Sequence, residues 1–412
     1  MASIPASTSS SSAQSQGEAS TSLYALLRFR TIVGYVLLGA TILFTFGAGW
    51  DVTSHRTVGR DATFSPAHVT MLTALSILGL AAMILVLVES RWVRRNMSLQ
   101  KYGTFFAGGF FGPLGAYVTG FGAVAAAVAF PLDNYWHSLY GIDVSLWAPF
   151  HVMIAMGTLL SSIGATYLLL STAHLARAQH AHILERLCTI AAMITLADMA
   201  GKTISIINPA LSAMGLVQFP FANFDLYPIL ISTSLMIGVV TATLAFPIRF
   251  AATILTLIHL AINVCLGIAI PPAMAWQIST YHETLLPRAV QTAGQTSTRS
   301  NLLTSLMMIV LALAIDGIAW YMRHKGWKPR TLLYGLYLAA LPVLLGIALV
   351  GLASIRTTLA SGRLSLLTQA PVKAGSLGLS TVILSLLLLP LGELVGLWFA
   401  YVMGRSLQKE VR

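Results

Sequence analysis

The chain has 412 residues, of which 56% are hydrophobic and only 9% are charged, and its mean hydropathy is +0.79. Soluble proteins carry roughly 25% charged residues, so this composition excludes an ordinary soluble domain. The basic residues behind the net charge of +11 cluster in short segments between apolar runs, which favours loops at a membrane surface and predicts no nucleic-acid partner.

Taken in chain order, the apolar runs predict an all-α, polytopic helical bundle with about ten transmembrane helices. Residues 1–22, rich in Ser, Ala, Thr and Gln, predict a disordered tail. Most of the runs that follow are long enough to cross a hydrocarbon core about 30 Å thick. The predicted spans are 31–50, 67–89, 104–130, 148–172, 187–207, 226–247, 249–270, 302–322, 332–353 and 377–403. Asp198 and Lys202 interrupt the fifth.

The basic segments predict the orientation of the chain in the bilayer. Cytoplasmic loops are enriched in Lys and Arg, and threading ten spans accordingly places both termini in the cytoplasm of a cell or inner membrane. The segment with Arg356, Arg363 and Lys373 then lies on the opposite side, against the rule. The basic residues placed in the cytoplasm are Arg28, Arg30, Arg91, Arg94, Arg95, Lys101, Arg177, Arg186, Arg323, Lys325, Lys328, Arg330, Arg405, Lys409 and Arg412.

Two polar stretches, 51–68 and 133–151, share one pattern and fall on the other side of the membrane. Each has an Asp, a His four residues later, an Asp six residues after that, and a final His after a further seven or eight residues. Each begins where one predicted span ends and closes with a Pro-containing step into the next span. Ser65 and Pro66 are typical of a helix start, as is Pro149.

The spacing predicts two sets of metal ligands. If the first helix of each hairpin continues through the Asp-x3-His segment, the Asp and His lie on one face, and the second helix returns the distal His to the same depth. One carboxylate and two imidazoles suit copper, iron, zinc or manganese. The predicted ligands are Asp51, His55 and His68 in the first set, and Asp133, His137 and His151 in the second.

Three further aspartates are candidates for roles around the ligands. Asp61 and Asp143, the inner aspartates of the pattern, either orient the histidines or are ordinary loop carboxylates. Asp225 ends the segment "FANFD", which aligns with "WAPFH" and places Asp225 where His151 stands. This alignment is either a degraded third copy of the repeat or chance.

The two sets resemble those of a known family, the C subunit of the particulate methane and ammonia monooxygenases, which are copper-dependent membrane enzymes. That subunit carries an Asp-x3-His-x12-His set and an Asn-x3-His-x13-His set, and the spacings here are the same. Asp143 falls where an acidic residue follows the family's second set. The resemblance covers about residues 30–172. It implies bound copper, oxidation of a small apolar substrate with O2, and partner subunits or an electron donor.

Two departures from the family limit this reading. Asp133 stands where the family has Asn, and about six further spans do not map onto that subunit. The chain is therefore divided into the tail, a metal-binding four-helix unit at 23–172, and a C-terminal region at 173–412. The ligand set alone is also compatible with iron or zinc as the bound metal. A metal carrier, or a membrane subunit that holds metal without catalysis, is the alternative to an oxidase component.

Other polar residues inside the spans have two readings each. Asp198 and Lys202, four residues apart, favour a structural ion pair over a path for protons or ions. Asp316 and Glu393 are either functional groups or protonated packing carboxyls. His174, with His180 and His182, predicts a solvated basic loop rather than a metal cluster.

Overall fold

The structure is a computed structural model that describes residues 9–59, 64–140, 149–206, 216–218, 223–246, 248–286, 298–360 and 378–409. These segments contain eleven α-helices, which confirms the all-α class. The helices are α1 (Ser9–Thr57), α2 (Pro66–Arg95), α3 (Leu114–Tyr140), α4 (Pro149–Ala178), α5 (His182–Ile206), α6 (Tyr227–Ala245), α7 (Ala251–Tyr281), α8 (Thr298–His324), α9 (Pro329–Ala360), α10 (Leu379–Leu387) and α11 (Leu389–Lys409).

Nine helical segments in the described part of the chain are long and apolar enough to cross a membrane. The prediction of a multi-pass membrane protein is therefore confirmed. Helices α10 and α11 form one of these segments together, with a break at Leu388. Helix α1 begins at Ser9, inside the predicted tail, while residues 1–8 lie outside the described residues.

Helix α5, the fifth predicted span, is not among the nine. It runs beside α1, because Thr31 Oγ1 lies 3.2 Å from Cys188 Sγ and Thr45 Oγ1 donates to Asp198 Oδ1 at 2.6 Å. Its second half is buried on nearly all sides by α1, α4, α6 and α7. Since neighbouring helices rather than lipid surround it, α5 tolerates the polar residues that lower its hydropathy.

Helices α1–α4 form an antiparallel unit with its own apolar core, which includes Leu37, Leu75, Ala126 and Leu168. Helices α3 and α4 approach closely through glycines. A Cβ on Gly122 would lie 2.5 Å from the carbonyl oxygen of Gly157. A residue with a side chain at this position would therefore force α3 and α4 apart.

The predicted start of the third span at residue 104 is wrong. Residues 104–112 form a two-stranded antiparallel hairpin, β1 (Thr104–Phe106) and β2 (Phe110–Gly112). Gly108 and Gly109 adopt φ values of 80° and 76° at its turn, a region that side-chain-bearing residues rarely enter. Pro113 follows, and α3 begins only at Leu114. A second short antiparallel pair, β3 (Leu216–Gln218) with β4 (Asn223–Asp225), precedes α6.

The C-terminal helices build a second core around α6, α8, α9 and α11, which includes Leu235, Leu311, Leu344 and Leu397. Helix α7 links the two cores. It contacts α8 on one side, and its end returns to the end of α1, where Gln277 Nε2 donates to Ser54 Oγ at 3.0 Å. The ends of α1, α3 and α7 and the starts of α2 and α4 therefore share one end of the bundle.

Candidate metal centre

The first set depends on how far α1 extends. Helix α1 continues through the Asp-x3-His segment to Thr57, so Asp51 and His55 lie one turn apart on the same face. The chain then turns at Gly59, whose φ of 94° lies in the region that favours glycine. This tight exit from α1 brings the chain back toward α2.

The start of α2 fixes the position of His68. Ser65 is the N-cap, and its Oγ accepts from the backbone N–H of His68 at 3.2 Å. Pro66 occupies the first turn, as predicted. His68 is thus held in the first turn of α2, at the depth of the last turns of α1.

The structure brings Asp51, His55 and His68 together. Asp51 Oδ1 lies 3.0 Å from His68 Nε2 and 3.5 Å from His55 Nε2. One ligand atom from each of the three residues lies within 4.8 Å of the other two. Among the described residues, this is the one group of at least three His, Cys, Asp or Glu side chains whose ligand atoms lie so close together. The three side chains are 17–30% exposed, while Asp51 Oδ1, which faces both histidines, is itself buried.

The second set repeats the contact between the carboxylate and the distal histidine. Asp133 Oδ2 lies 3.0 Å from His151 Nε2, the same separation as between Asp51 and His68. Helix α3 continues through His137 to Tyr140, and Pro149 opens α4 as predicted. The backbone of His137 is therefore helical, while its side chain lies outside the described residues.

The two sets are neighbours at one end of the bundle. The ring of His68 packs edge-on against Phe130, one turn before Asp133 on α3, with ring centroids 5.9 Å apart. Trp136 contacts Phe150 in a similar way at 6.0 Å, which joins the end of α3 to the start of α4. We call this region, defined by Asp51, His68, Asp133 and His151, the Asp/His end.

Helix α7 and the segment after it support the first set from behind, which the sequence did not indicate. Gln277 is fully buried, and its Nε2 donates to Ser54 Oγ at 3.0 Å and to Glu283 Oε2 at 3.0 Å. The backbone N–H of Leu286 donates to the Thr57 carbonyl at 2.9 Å. These contacts fix the turn of α1 that carries Asp51 and His55. The contacts of Gln277 with Ser54 and of Leu286 with Thr57 join residues more than 220 positions apart, so no local pattern reveals them.

The structure describes one of the three secondary aspartates, Asp225, and places it away from this cluster. Asp61 and Asp143 lie outside the described residues. Asp225 lies in the C-terminal half, where its Oδ1 accepts from the Tyr227 N–H at 2.7 Å and its own N–H donates to Ser385 Oγ at 2.7 Å. Burial raises the pKa of Asp225 to about 6, although the Tyr227 N–H acts in the opposite direction. The hydrogen bonds of Asp225 with Tyr227 and Ser385 support a structural role for this residue at the start of α6.

Asp198 and Lys202 form the ion pair that their spacing predicted. Lys202 Nζ lies 2.6 Å from Asp198 Oδ2 and also donates to Ser162 Oγ at 3.0 Å. Thr45 Oγ1 donates to the other carboxylate oxygen at 2.6 Å. These bonds join α1, α4 and α5, so they favour the structural reading of the pair.

Asp316 is occupied as well. Its carboxylate accepts from the backbone N–H groups of Ala252 and Thr253 and from Thr253 Oγ1, at 2.8–3.2 Å. The N-cap of α7, Phe250, has a φ of 61° and no side-chain cap of its own. Asp316 therefore caps α7 from α8, which is a structural role.

The histidines between α4 and α5 have the surroundings expected of a loop. His182 is 66% exposed and lies 3.4 Å from Glu185, which also faces Arg177 at 3.7 Å. The rings of His180 and His182 are 6.2 Å apart. His174 lies on α4 and is partly buried. The exposure of His182 agrees with the predicted basic loop, whereas the position of His174 inside α4 shows that the prediction of a solvated loop is wrong for that residue.

Comparison of the chain with protein-family models, with curated proteins and with solved structures finds no match. The resemblance to the monooxygenase subunit therefore depends on the spacing and placement of the two sets alone.

Proposed function

We propose that this is a metal-binding integral membrane protein and that Asp51, His55 and His68 hold a copper ion at the Asp/His end. The observation that carries the proposal is the convergence of one carboxylate and two imidazole donors within 4.8 Å. The residues come from two different helices, so the arrangement is a tertiary feature as well as a helical spacing.

The donor separations fit a bound first-row metal ion. Metal–nitrogen and metal–oxygen bonds are about 2.0–2.2 Å long, so two ligand atoms on one ion lie roughly 3–4 Å apart. The contacts of Asp51 with His68 and His55, 3.0 and 3.5 Å, fall in this range.

Copper is the ion proposed because the spacings match those of a copper-dependent family and because Cu(II) ranks highest among divalent metals for such ligands. The two-histidine, one-carboxylate set is also that of non-haem iron enzymes. Iron and zinc are therefore the specific competitors to exclude.

The second set is proposed as a second site of the same kind. Asp133 and His151 repeat the 3.0 Å contact between Asp51 and His68. His137, one turn beyond Asp133 on a continuous helix, is proposed as its third ligand. Two adjacent sites at one membrane boundary are what the family resemblance implies.

The activity proposed is oxidation of a small apolar substrate with O2, for which bound copper supplies the redox chemistry. The described residues supply the carboxylate and imidazoles that hold the ion, and they keep it partly exposed at the end of the bundle. Apolar side chains such as Phe130 lie beside His68, which suits an apolar substrate. A partner subunit or electron donor is proposed as the source of electrons.

A metal carrier is less well supported. A path for cations through the bilayer needs a series of carboxylates that are ready to accept an ion. Asp198 is already paired with Lys202, whose ammonium repels cations, and Asp316 is bonded to the start of α7. A subunit that holds copper without catalysis has the same ligands and differs only in lacking oxidase activity.

The test is the metal content of the full chain purified from its native membrane, before and after chelation and after reloading with copper, iron or zinc. We expect copper in stoichiometric amount, with an X-ray absorption spectrum of nitrogen and oxygen ligands and no sulfur. Stoichiometric iron without copper would replace the copper proposal with a non-haem iron centre. Protein that binds none of the three metals would overturn the proposal.

A further inference from the structure

Glu393 on α11 is a buried carboxyl that the proposed metal function does not use. It is fully buried, and it lies on the same helix face as Leu397 and Ala400, four and seven residues later, which belong to the core of the C-terminal helices. Within the part of the chain that the structure describes, neither carboxylate oxygen has a hydrogen-bond partner.

This environment differs from that of the other acidic groups buried between helices. Glu89 is also fully buried, but Arg30 donates to both of its oxygens at 2.6 Å. Asp198 is paired with Lys202, and Asp316 accepts three hydrogen bonds at the start of α7. Glu393 lacks such compensation.

The helices around Glu393 carry no charge that faces it. The sequences of α6 and α10 contain no charged residue, and α9 has none between residues 331 and 355. Tyr227 of α6 and Tyr337 of α9 are the titratable members of the same core, and a tyrosine is neutral at pH 7. Asp316 is the acidic residue of α8, and its carboxylate is occupied.

An ionised carboxylate in these surroundings would lose its hydration without gaining a partner, which costs several kcal/mol. A proton removes the charge and needs no additional ligand. Intramembrane carboxyls are in general tied to function. The neutral, protonated form is therefore the one that this core accommodates.

Hydrogen bonds from α6 and β4 hold α10 and the start of α11, the segment that carries Glu393. Thr233 Oγ1 donates to the carbonyl of Gly392, the residue before Glu393, at 2.9 Å. One residue earlier on α6, Ser232 Oγ donates to the Leu389 carbonyl at 3.2 Å. Ser385, a turn before Leu389, accepts from the N–H of Asp225 at 2.7 Å. Asp225 lies outside the nine membrane segments, at the end of β4.

We propose that Glu393 is a reversible proton-binding site in the C-terminal half of the bundle. This site is independent of the metal centre, since it lies on different helices and uses no imidazole. It gives the C-terminal helices a function of their own, the binding and release of a proton inside the membrane.

Infrared difference spectroscopy on the full chain in lipid vesicles tests this directly. The carbonyl band of a protonated carboxylic acid should be present at neutral pH, disappear reversibly as the pH is raised, and be missing from Glu393→Gln. The Gln variant is isosteric with the neutral acid, so we expect it to fold.

Labelling with the hydrophobic reagent dicyclohexylcarbodiimide, located by mass spectrometry, provides a second measurement on the wild-type chain. The reagent attacks protonated carboxyls, so Glu393 should react while Glu89, equally buried but paired with Arg30, should not. Equal labelling of both residues would contradict the proposal. It would also be overturned if the Glu393 band were absent at neutral pH, never titrated, or were removed by Na⁺, since these results indicate an ionised, a permanently neutral or a cation-binding carboxyl.

Discussion

At the scale of single residues, two buried acidic groups are matched by opposite charges, and Asp51 is a different case. Arg30 and Glu89 form a two-fold ion pair, and Asp198 is bonded to Lys202. Asp51 instead faces two imidazoles, at 3.5 and 3.0 Å, and a neutral imidazole is a common metal ligand. A carboxylate with two imidazole donors is suited to an external cation, and this contrast supports a metal site over an internal ion pair.

The replacement His68→Ala should remove the metal from the first set, because two ligands from one helix turn are left to compensate for dehydration of the ion. Loss of a group that merely orients a ligand typically weakens metal binding about 10–100-fold, so loss of a ligand should weaken it at least that much. Affinity is measured by competition with a chelator of known strength.

His174→Ala is the matched control, since it removes a partly buried histidine from α4 at the opposite end of the bundle from His151. It should leave the affinity unchanged. Equal losses in the two variants would show that the effect comes from general destabilisation and not from the first set.

The contacts that the sequence predicted at this scale are local, and those it missed are distant. Asp51 and His55 are one turn apart on a helix, and His68 follows across a short turn, so spacing alone was sufficient. Arg30 and Glu89 are 59 residues apart, and Ser54 and Gln277 are 223 residues apart. Such pairs depend on how helices pack, which a single sequence does not encode in any periodic pattern.

At the scale of elements, the apolar runs predicted the existence of the helices better than their ends. Helix α7 continues eleven residues past the predicted limit of 270, to Tyr281. Pro271 and Pro272 follow the predicted limit directly, yet they lie inside the helix. The third helix starts later than predicted because Gly108 and Gly109 form the turn of a hairpin and Pro113 directly precedes the first helical residue. Hydropathy indicates which residues lie in the bilayer, whereas capping residues and turns determine where a helix begins and ends.

Asp316→Ala should destabilise the protein, since α7 then begins at Phe250 with no side-chain cap. Loss of a helix cap typically costs about 0.5–2 kcal/mol. The midpoint of thermal unfolding, followed by tryptophan fluorescence in detergent, should fall. Gly317→Ala, on the same helix with open space around it, should leave the midpoint unchanged or raise it slightly. A midpoint that is unchanged in Asp316→Ala would refute the capping role.

Asp225 should make stability depend on pH at the start of α6. Its pKa is raised from 3.8 to about 6 in the folded protein, so the folded state binds the proton more tightly than the unfolded state. Its contribution is most favourable below about pH 4 and is lost as the pH rises through about 6. The shift corresponds to about 3 kcal/mol at most.

Asp225→Asn should abolish this dependence, since the amide oxygen can still accept from the Tyr227 N–H. The difference in unfolding midpoint between the variant and the wild type should therefore grow in favour of the variant between pH 4 and pH 7. A constant difference across that range would mean that Asp225 does not titrate near pH 6.

At the scale of the whole molecule, the four-helix unit and the C-terminal helices form one membrane bundle. The antiparallel order of α1–α4 brings two distant stretches of sequence, 51–68 and 133–151, to the same end. The alternation of apolar runs was enough to predict this. The interior position of α5 was not predictable, because burial by other helices and burial in lipid select similar side chains.

The distribution of the basic residues predicts the orientation of the bundle in the membrane. Reporter fusions after residues 60 and 140 should both report the extracytoplasmic side, while fusions near residues 97 and 178 should report the cytoplasm. Reporters at 60 and 140 on opposite faces would separate the two sets and contradict the common Asp/His end.

The central claim is that the two Asp/His sets hold the metal, and the most direct measurement is the copper content of the His55→Ala/His137→Ala double variant. The full chain, purified from membranes and shown to be folded by its elution profile and helical content, should contain no tightly held copper. Each single variant should retain the copper of the other set. A folded double variant with the full metal content of the wild type would contradict the claim.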